Sequence, residues 1–124
     1  MILDTKALSA VADGELRALE EFARAWRVAT PVIVLGEYRY GIALSRRRNE
    51  YERWLADALA ICEVLEVGDA TSSYAEVRLE LRRAGTPIPT NDIWIAALYR
   101  QHSMPILSRD EHFDLVDGVG RVGW

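Results

Sequence analysis

A chain of 124 residues, half of them hydrophobic, can bury one core without staples and is read as a single domain over residues 1–124. Cys62 is the only cysteine, which excludes an internal disulfide, and His102 and His112 are too few to complete a Cys/His structural zinc site with it. The formal net charge of −4 argues on its face against a polyanionic partner, but two bound divalent cations would cancel it, so charge alone does not settle the partner.

Met1-Ile2-Leu3 is too short for a helix and lacks the charged start of a signal peptide. It reads as a first strand, ended by Asp4-Thr5, from which a helix runs. No apolar run approaches the roughly 20 residues of a membrane span, so a soluble cytoplasmic protein with no membrane partner is expected. Asp13-Gly14 breaks the chain, and Glu15 to Trp26 resumes as an amphipathic helix with Leu16, Leu19, Phe22, Ala23 and Trp26 on one face. Val28-Ala29-Thr30 makes a second strand, and Pro31 suits the first turn of a helix reaching Leu44. Arg46-Arg47-Arg48 opens a helix to Cys62 whose buried stripe is Tyr51, Leu55, Ala58, Leu59 and Cys62. Val64 to Val67 alternates as a strand, and Gly68-Asp69 leads to a helix from Ala70 to Ala84 buried through Tyr74, Val77, Leu81 and Ala84.

Gly85-Thr86-Pro87-Ile88-Pro89 holds too many breakers for helix or central strand and delivers the next helix, which starts at Thr90-Asn91-Asp92 and is apolar on every face through Leu98. Thr90 or Asn91 is expected to cap it, and the positive end of the helix dipole favours an anionic Asp92. Pro105 to Ser108 is a further strand, ending at Arg109-Asp110 as the first strand ends at Asp4. His112 and Phe113 lie in a short turn, and Val119 to Trp124 reads as a final edge strand.

Asp4 and Asp110 thus follow strands, Asp92 opens a helix, and Glu37 is the one acid in a strongly apolar helix, with Arg39 or Arg46 as its ordinary ion-pair partners. Each has a bland reading as a helix cap or ion pair. Together, in a parallel α/β sheet, all four can reach the carboxyl edge where ligands bind. Like charges so gathered need a cation, and oxygen-only donors favour hard ions such as Mg2+ or Mn2+.

The blocks Leu3-Asp4-Thr5, Glu37-Tyr38-Arg39-Tyr40-Gly41, Asn91-Asp92-Ile93-Trp94-Ile95-Ala96-Ala97 and Leu107-Ser108-Arg109-Asp110-Glu111-His112-Phe113, in that order, resemble the PIN-domain ribonucleases, most closely the VapC toxins of toxin–antitoxin pairs. The resemblance spans the chain. It implies a three-layer α/β/α fold with a central, mostly parallel sheet flanked by helices. It implies Asp4, Glu37, Asp92 and Asp110 as a catalytic and metal-holding quartet for Mg2+ or Mn2+, supported by Thr5, Asn91 and Ser108. The implied activity is metal-dependent hydrolysis of RNA to 5′-phosphate and 3′-hydroxyl ends, and the implied partners are a small VapB-like antitoxin that blocks the acidic site and a second copy of the chain. The departures are Lys6, where a small or amide residue is usual, and Ser108, where threonine is. His112 is read as structural and Asp114 as a surface acid. Two alternatives stay open: a housekeeping PIN nuclease, and a non-catalytic PIN-fold module that binds RNA or protein. A haloacid-dehalogenase-like phosphatase would need a second Asp where Lys6 stands, and a receiver domain would need paired early acids.

Overall fold

Five short runs form strands, apolar at the centre of the sheet and mixed at its edges. In the computed structural model, which describes residues 1–124, they are β1 (Ile2–Leu3), β2 (Ala29–Pro31), β3 (Glu63–Leu65), β4 (Ile106–Leu107) and β5 (Arg121–Val122). Between them lie α1 (Thr5–Ala12), α2 (Leu16–Arg24), α3 (Val32–Leu44), α4 (Arg48–Leu59), α5 (Thr71–Ala84) and α6 (Thr90–His102), with short 3₁₀ turns at Gly68–Ala70 and Glu111–Leu115. No helix is long and apolar enough to cross a membrane.

The strand order is β3-β2-β1-β4-β5 and every pairing is parallel, so helical crossovers are obligatory. Right-handed crossovers set α1 to α4 on one face, and the return across β1 to begin β4 sets α5 and α6 on the other. The packing agrees: α1 meets α2, α3 and α4, while α5 pairs with α6. This is the three-layer α/β/α arrangement that the resemblance implies. The direction of winding reverses between β1 and β4, which opens a crevice at their carboxyl ends. Leu3 pairs with Leu107, so the next residues, Asp4 and Ser108, are lateral neighbours in that crevice.

The central strands are fully enclosed; Ile2, Leu3, Ile106 and Leu107 have no exposed surface. Helix α6 buries Ile93, Ile95, Ala96, Ala97 and Leu98, as its all-round apolar pattern predicts. Gly85, at φ 71, closes α5 in the left-handed conformation that glycine adopts without steric cost. From there the Pro-rich loop runs directly into α6.

Several boundaries and faces differ from expectation. Helix α2 stops at Arg24, and its predicted stripe is split: Leu19 and Phe22 pack against the core, whereas Leu16 and Trp26 are 76% and 94% exposed and Ala18, outside the stripe, is buried. The helix rests on α1 through Ala10, Val11 and Ala18, a seam of small side chains that hydrophobic spacing does not reveal. Pro31 ends β2 and precedes α3 rather than starting it. Helix α4 ends at Leu59, so Cys62 is buried from the turn beyond it. Strand β3 lies at Glu63–Leu65, held there by its pairing with Ala29–Pro31. Helix α5 begins at Thr71 with Ala84 exposed, and β5 is confined to Arg121–Val122.

This packing sets a clear contrast between two large apolar residues. Leu98→Ala, inside α6, is expected to lower unfolding free energy by about 3 kcal/mol in urea titrations. Trp26→Ser, at an exposed site, is expected to change it by less than about 0.5 kcal/mol.

Candidate active site

Asp4 is set at the mouth of the crevice by two local facts. As the residue after β1 it is extended, and its Oδ1 accepts the Ala7 N–H at 2.6 Å to cap α1. Its Oδ2 accepts the Ser108 hydroxyl. Cap and site residue are therefore one side chain. Ser108 has no exposed surface, and its Oγ also accepts the Asp110 N–H at 2.8 Å, so one hydroxyl orients the acids that follow β1 and β4.

Asp110 begins the Glu111–Leu115 turn, where it accepts the His112 N–H at 3.2 Å, and the Lys6 ammonium lies 3.1 Å from its Oδ2. Asp92 sits in the first turn of α6, where the dipole favours its charge. The expected cap at Thr90 or Asn91 is not formed; Pro89 precedes the helix and no side chain bonds its first N–H groups. The Asn91 amide instead donates to Glu37 Oε1 at 2.5 Å, and the Thr5 hydroxyl donates to Glu37 Oε2.

Glu37 departs furthest from expectation. It is exposed, not buried, because α3 turns its polar edge toward the crevice while Val34, Leu35 and Tyr38 pack inward. Neither Arg39 nor Arg46 is its partner, and Arg39 pairs with Glu52. Thr5, Asn91 and Ser108 all contact members of the quartet.

Asp4, Glu37, Asp92 and Asp110, with Lys6 and Asn91, line one cavity of about 540 Å³. Burial pushes the Asp4 carboxyl above its usual range, against the hydrogen bonds from Ser108 and Ala7, and the charge of Asp92 adds to the rise. Burial raises Asp92 as well, with Asp110 and Glu37 acting in the same direction and His112 against it. For Asp110 burial also acts upward, but the His112 N–H and Lys6 outweigh it and hold the carboxyl below its usual range. The Lys6 ammonium is raised by its hydrogen bond to Asp110. One ammonium among four acids leaves an excess of negative charge, and the donors suit a hard divalent cation.

His112 is the residue that sequence reasoning set aside. Its Nδ1 lies 3.1 Å from Asp92 Oδ2 and 2.9 Å from Asp110 Oδ1. The signal was its place two residues after a strand-ending acid, in a turn too short to carry the ring away. Asp114 is a surface acid, paired with Arg121 at 2.6 Å.

The PIN domain family model matches residues 1–119. This chain belongs to the PIN-domain family. Among curated relatives of this PIN domain, Ribonuclease VapC5 of Mycobacterium tuberculosis is 33% identical over 124 residues, covering 98% of this chain and 90% of the relative. Among solved structures, a member of the VapBC family of toxin-antitoxin systems, VapBC-5 from Mycobacterium tuberculosis, superposes with a TM-score of 0.72 at 30% identity, over 98% of this chain and 94% of that one. FitAcB from Neisseria gonorrhoeae gives a TM-score of 0.84 at 25% identity, over 97% and 94%.

The raised carboxyls make a prediction about the metal-free protein. A group whose folded pKa exceeds its unfolded value contributes stability that is complete below the unfolded pKa and is lost as pH rises through the folded one. Asp92→Asn, which removes that loss, is expected to raise Tm by roughly 3 °C near pH 7 in EDTA. The advantage should shrink as pH falls through the carboxylate range, where Asp92 takes up its proton. A pH-independent difference between the two melting curves would show that the buried charge of Asp92 is not the cause.

Proposed function

We propose that this PIN domain is a Mg2+- or Mn2+-dependent endoribonuclease acting as the toxin of a VapBC-like pair. The observation that carries the reading is the meeting of Asp4, Glu37, Asp92 and Asp110 on one cavity at the switch point of a parallel sheet. Asp4, Asp92 and Asp110 would hold the metal, with Glu37 at the edge of the same cavity. A bound divalent ion supplies charge neutralisation at a scissile phosphate and a water acidified toward hydroxide.

The chain's own residues do the positioning. Ser108 aims Asp4 and fixes the turn that presents Asp110. Asn91 and Thr5 hold one Glu37 oxygen each, which sets its carboxylate to orient a water or accept its proton. Lys6, exposed beside Asp110, offers a cation to an incoming phosphate oxygen. Relatives named as ribonucleases support an RNA substrate, and hydrolysis to 5′-phosphate and 3′-hydroxyl ends is the outcome proposed with it. A small VapB-like antitoxin covering the acidic cleft, a homodimeric state and a cytoplasmic setting complete the proposal; the VapBC assemblies among similar structures support the antitoxin.

Purified protein free of antitoxin, incubated with total RNA and Mg2+, should create new 5′-phosphate ends at defined positions. Asp92→Asn should reduce their yield at least about a hundredfold, since it removes a ligand and a charge from the reacting centre. The same cleavage map from both proteins would remove the activity from this site. A non-catalytic binding module would instead retain RNA on a filter and produce no new ends.

Metal loading gives an independent check. Mn2+ at a hundred times its Kd should stabilise the wild type by roughly 2.7 kcal/mol in thermal melts. Asp4→Asn and Asp92→Asn should lose most of that gain, and an equal gain in all three would place the ion elsewhere.

A further inference from the structure

The proposed chemistry gives His112 no role, although its ring lies against two of the acids that line the cleft. The turn that starts at Asp110 presents it, and the hydrogen bond from its own N–H to Asp110 Oδ1 keeps acid and ring on the same side. One donor atom from each of Asp92, Asp110 and His112 fits within 4.8 Å of the others. Nδ1 stands 2.9 Å from Asp110 Oδ1 and 3.1 Å from Asp92 Oδ2. Two donors each about 2.1 Å from one octahedral ion, at right angles, lie about 3.0 Å apart. The observed separations match those of neighbouring ligands, and they are also hydrogen-bond distances, so the ring and the acids need not move to take up an ion.

The donor atoms also suit an ion. Either ring nitrogen can carry the imidazole proton; with it on Nε2, the bare Nδ1 and the two carboxylate oxygens are three acceptors that a bound cation would draw together. The ring is 43% exposed, so water can reach the remaining positions about such an ion. We infer that His112 is a nitrogen ligand to the cation held by Asp92 and Asp110, and that it biases this centre toward Mn2+ over Mg2+. The inference rests on the metal-dependent reading of the cleft. Mg2+ takes oxygen donors and gains little from imidazole, whereas first-row transition ions accept it readily. An all-oxygen quartet would carry no such bias.

The probe is Mn2+ alone, bound to the intact chain and read by pulsed electron paramagnetic resonance, with no RNA present. The wild type should show coupling to a directly bound ¹⁴N that becomes a ¹⁵N pattern on histidine labelling. His112→Gln should abolish it and weaken Mn2+ binding about tenfold, while Mg2+ affinity, measured by competition, changes less than about threefold. His102→Gln, altered at the far end of α6, should keep the coupling. Bound Mn2+ with no nitrogen coupling, or an equal loss of both ions in His112→Gln, would overturn the assignment while leaving metal-dependent cleavage intact. A wild type that binds neither ion would overturn the metal reading and this inference together.

Discussion

The buried carboxylate of Asp4 is the constraint on which the rest depends. Burying such a group without partners costs several kcal/mol, and the chain meets that cost with an N–H at the opening of α1 and a hydroxyl from the neighbouring strand. Those two bonds join the end of β1, the start of α1 and the end of β4. Each of the other acids is then placed relative to this junction: Asp110 by the turn that leaves β4, Asp92 by the helix packed behind the sheet, and Glu37 by hydrogen bonds from Thr5 and Asn91. The charge repulsion that results is a local conflict within an otherwise consistent fold, of the kind that marks functional centres.

What could be read before the structure was known divides along a physical line. Strand ends followed by acids were legible because Leu3-Asp4 and Leu107-Ser108-Arg109-Asp110 combine an abrupt loss of hydrophobicity with a residue suited to start a turn. The apolar body of α6 was legible because Ile93 and the run from Ile95 to Leu98 are all buried. The stripe on α2 was legible only in part: Leu19 and Phe22 pack inward, but the seam itself is Ala18 against Ala10 and Val11, and burial there depends on which neighbour the helix meets. Spacing describes a helix's own surface and not the depth of the surface it lands on.

The same distinction explains the site. Asp4, Glu37, Asp92 and Asp110 do line one cavity, but the environment inferred for Glu37 from its apolar neighbours in sequence was wrong. In a helix, residues beside one another in sequence face different ways, so Val34, Leu35 and Tyr38 can be inside while Glu37 faces out. The role of Asn91 was displaced in a related way: a residue with a strong preference for capping serves instead as a donor to an acid 54 positions away. His112 was read as structural, because a lone histidine carries little information until its neighbours in space are known.

The shortness of the strands has a further consequence. β1 and β4 each comprise two residues, and the pairing of Leu3 with Leu107 is what brings Asp4 beside Ser108. A shift of one residue in that pairing would exchange the sheet faces on which the side chains lie, and it would also part the hydroxyl from the carboxylate it serves. Correct alignment of the sheet and assembly of the acidic cleft are therefore a single event, and a chain that paired these strands wrongly would lack the cleft as well.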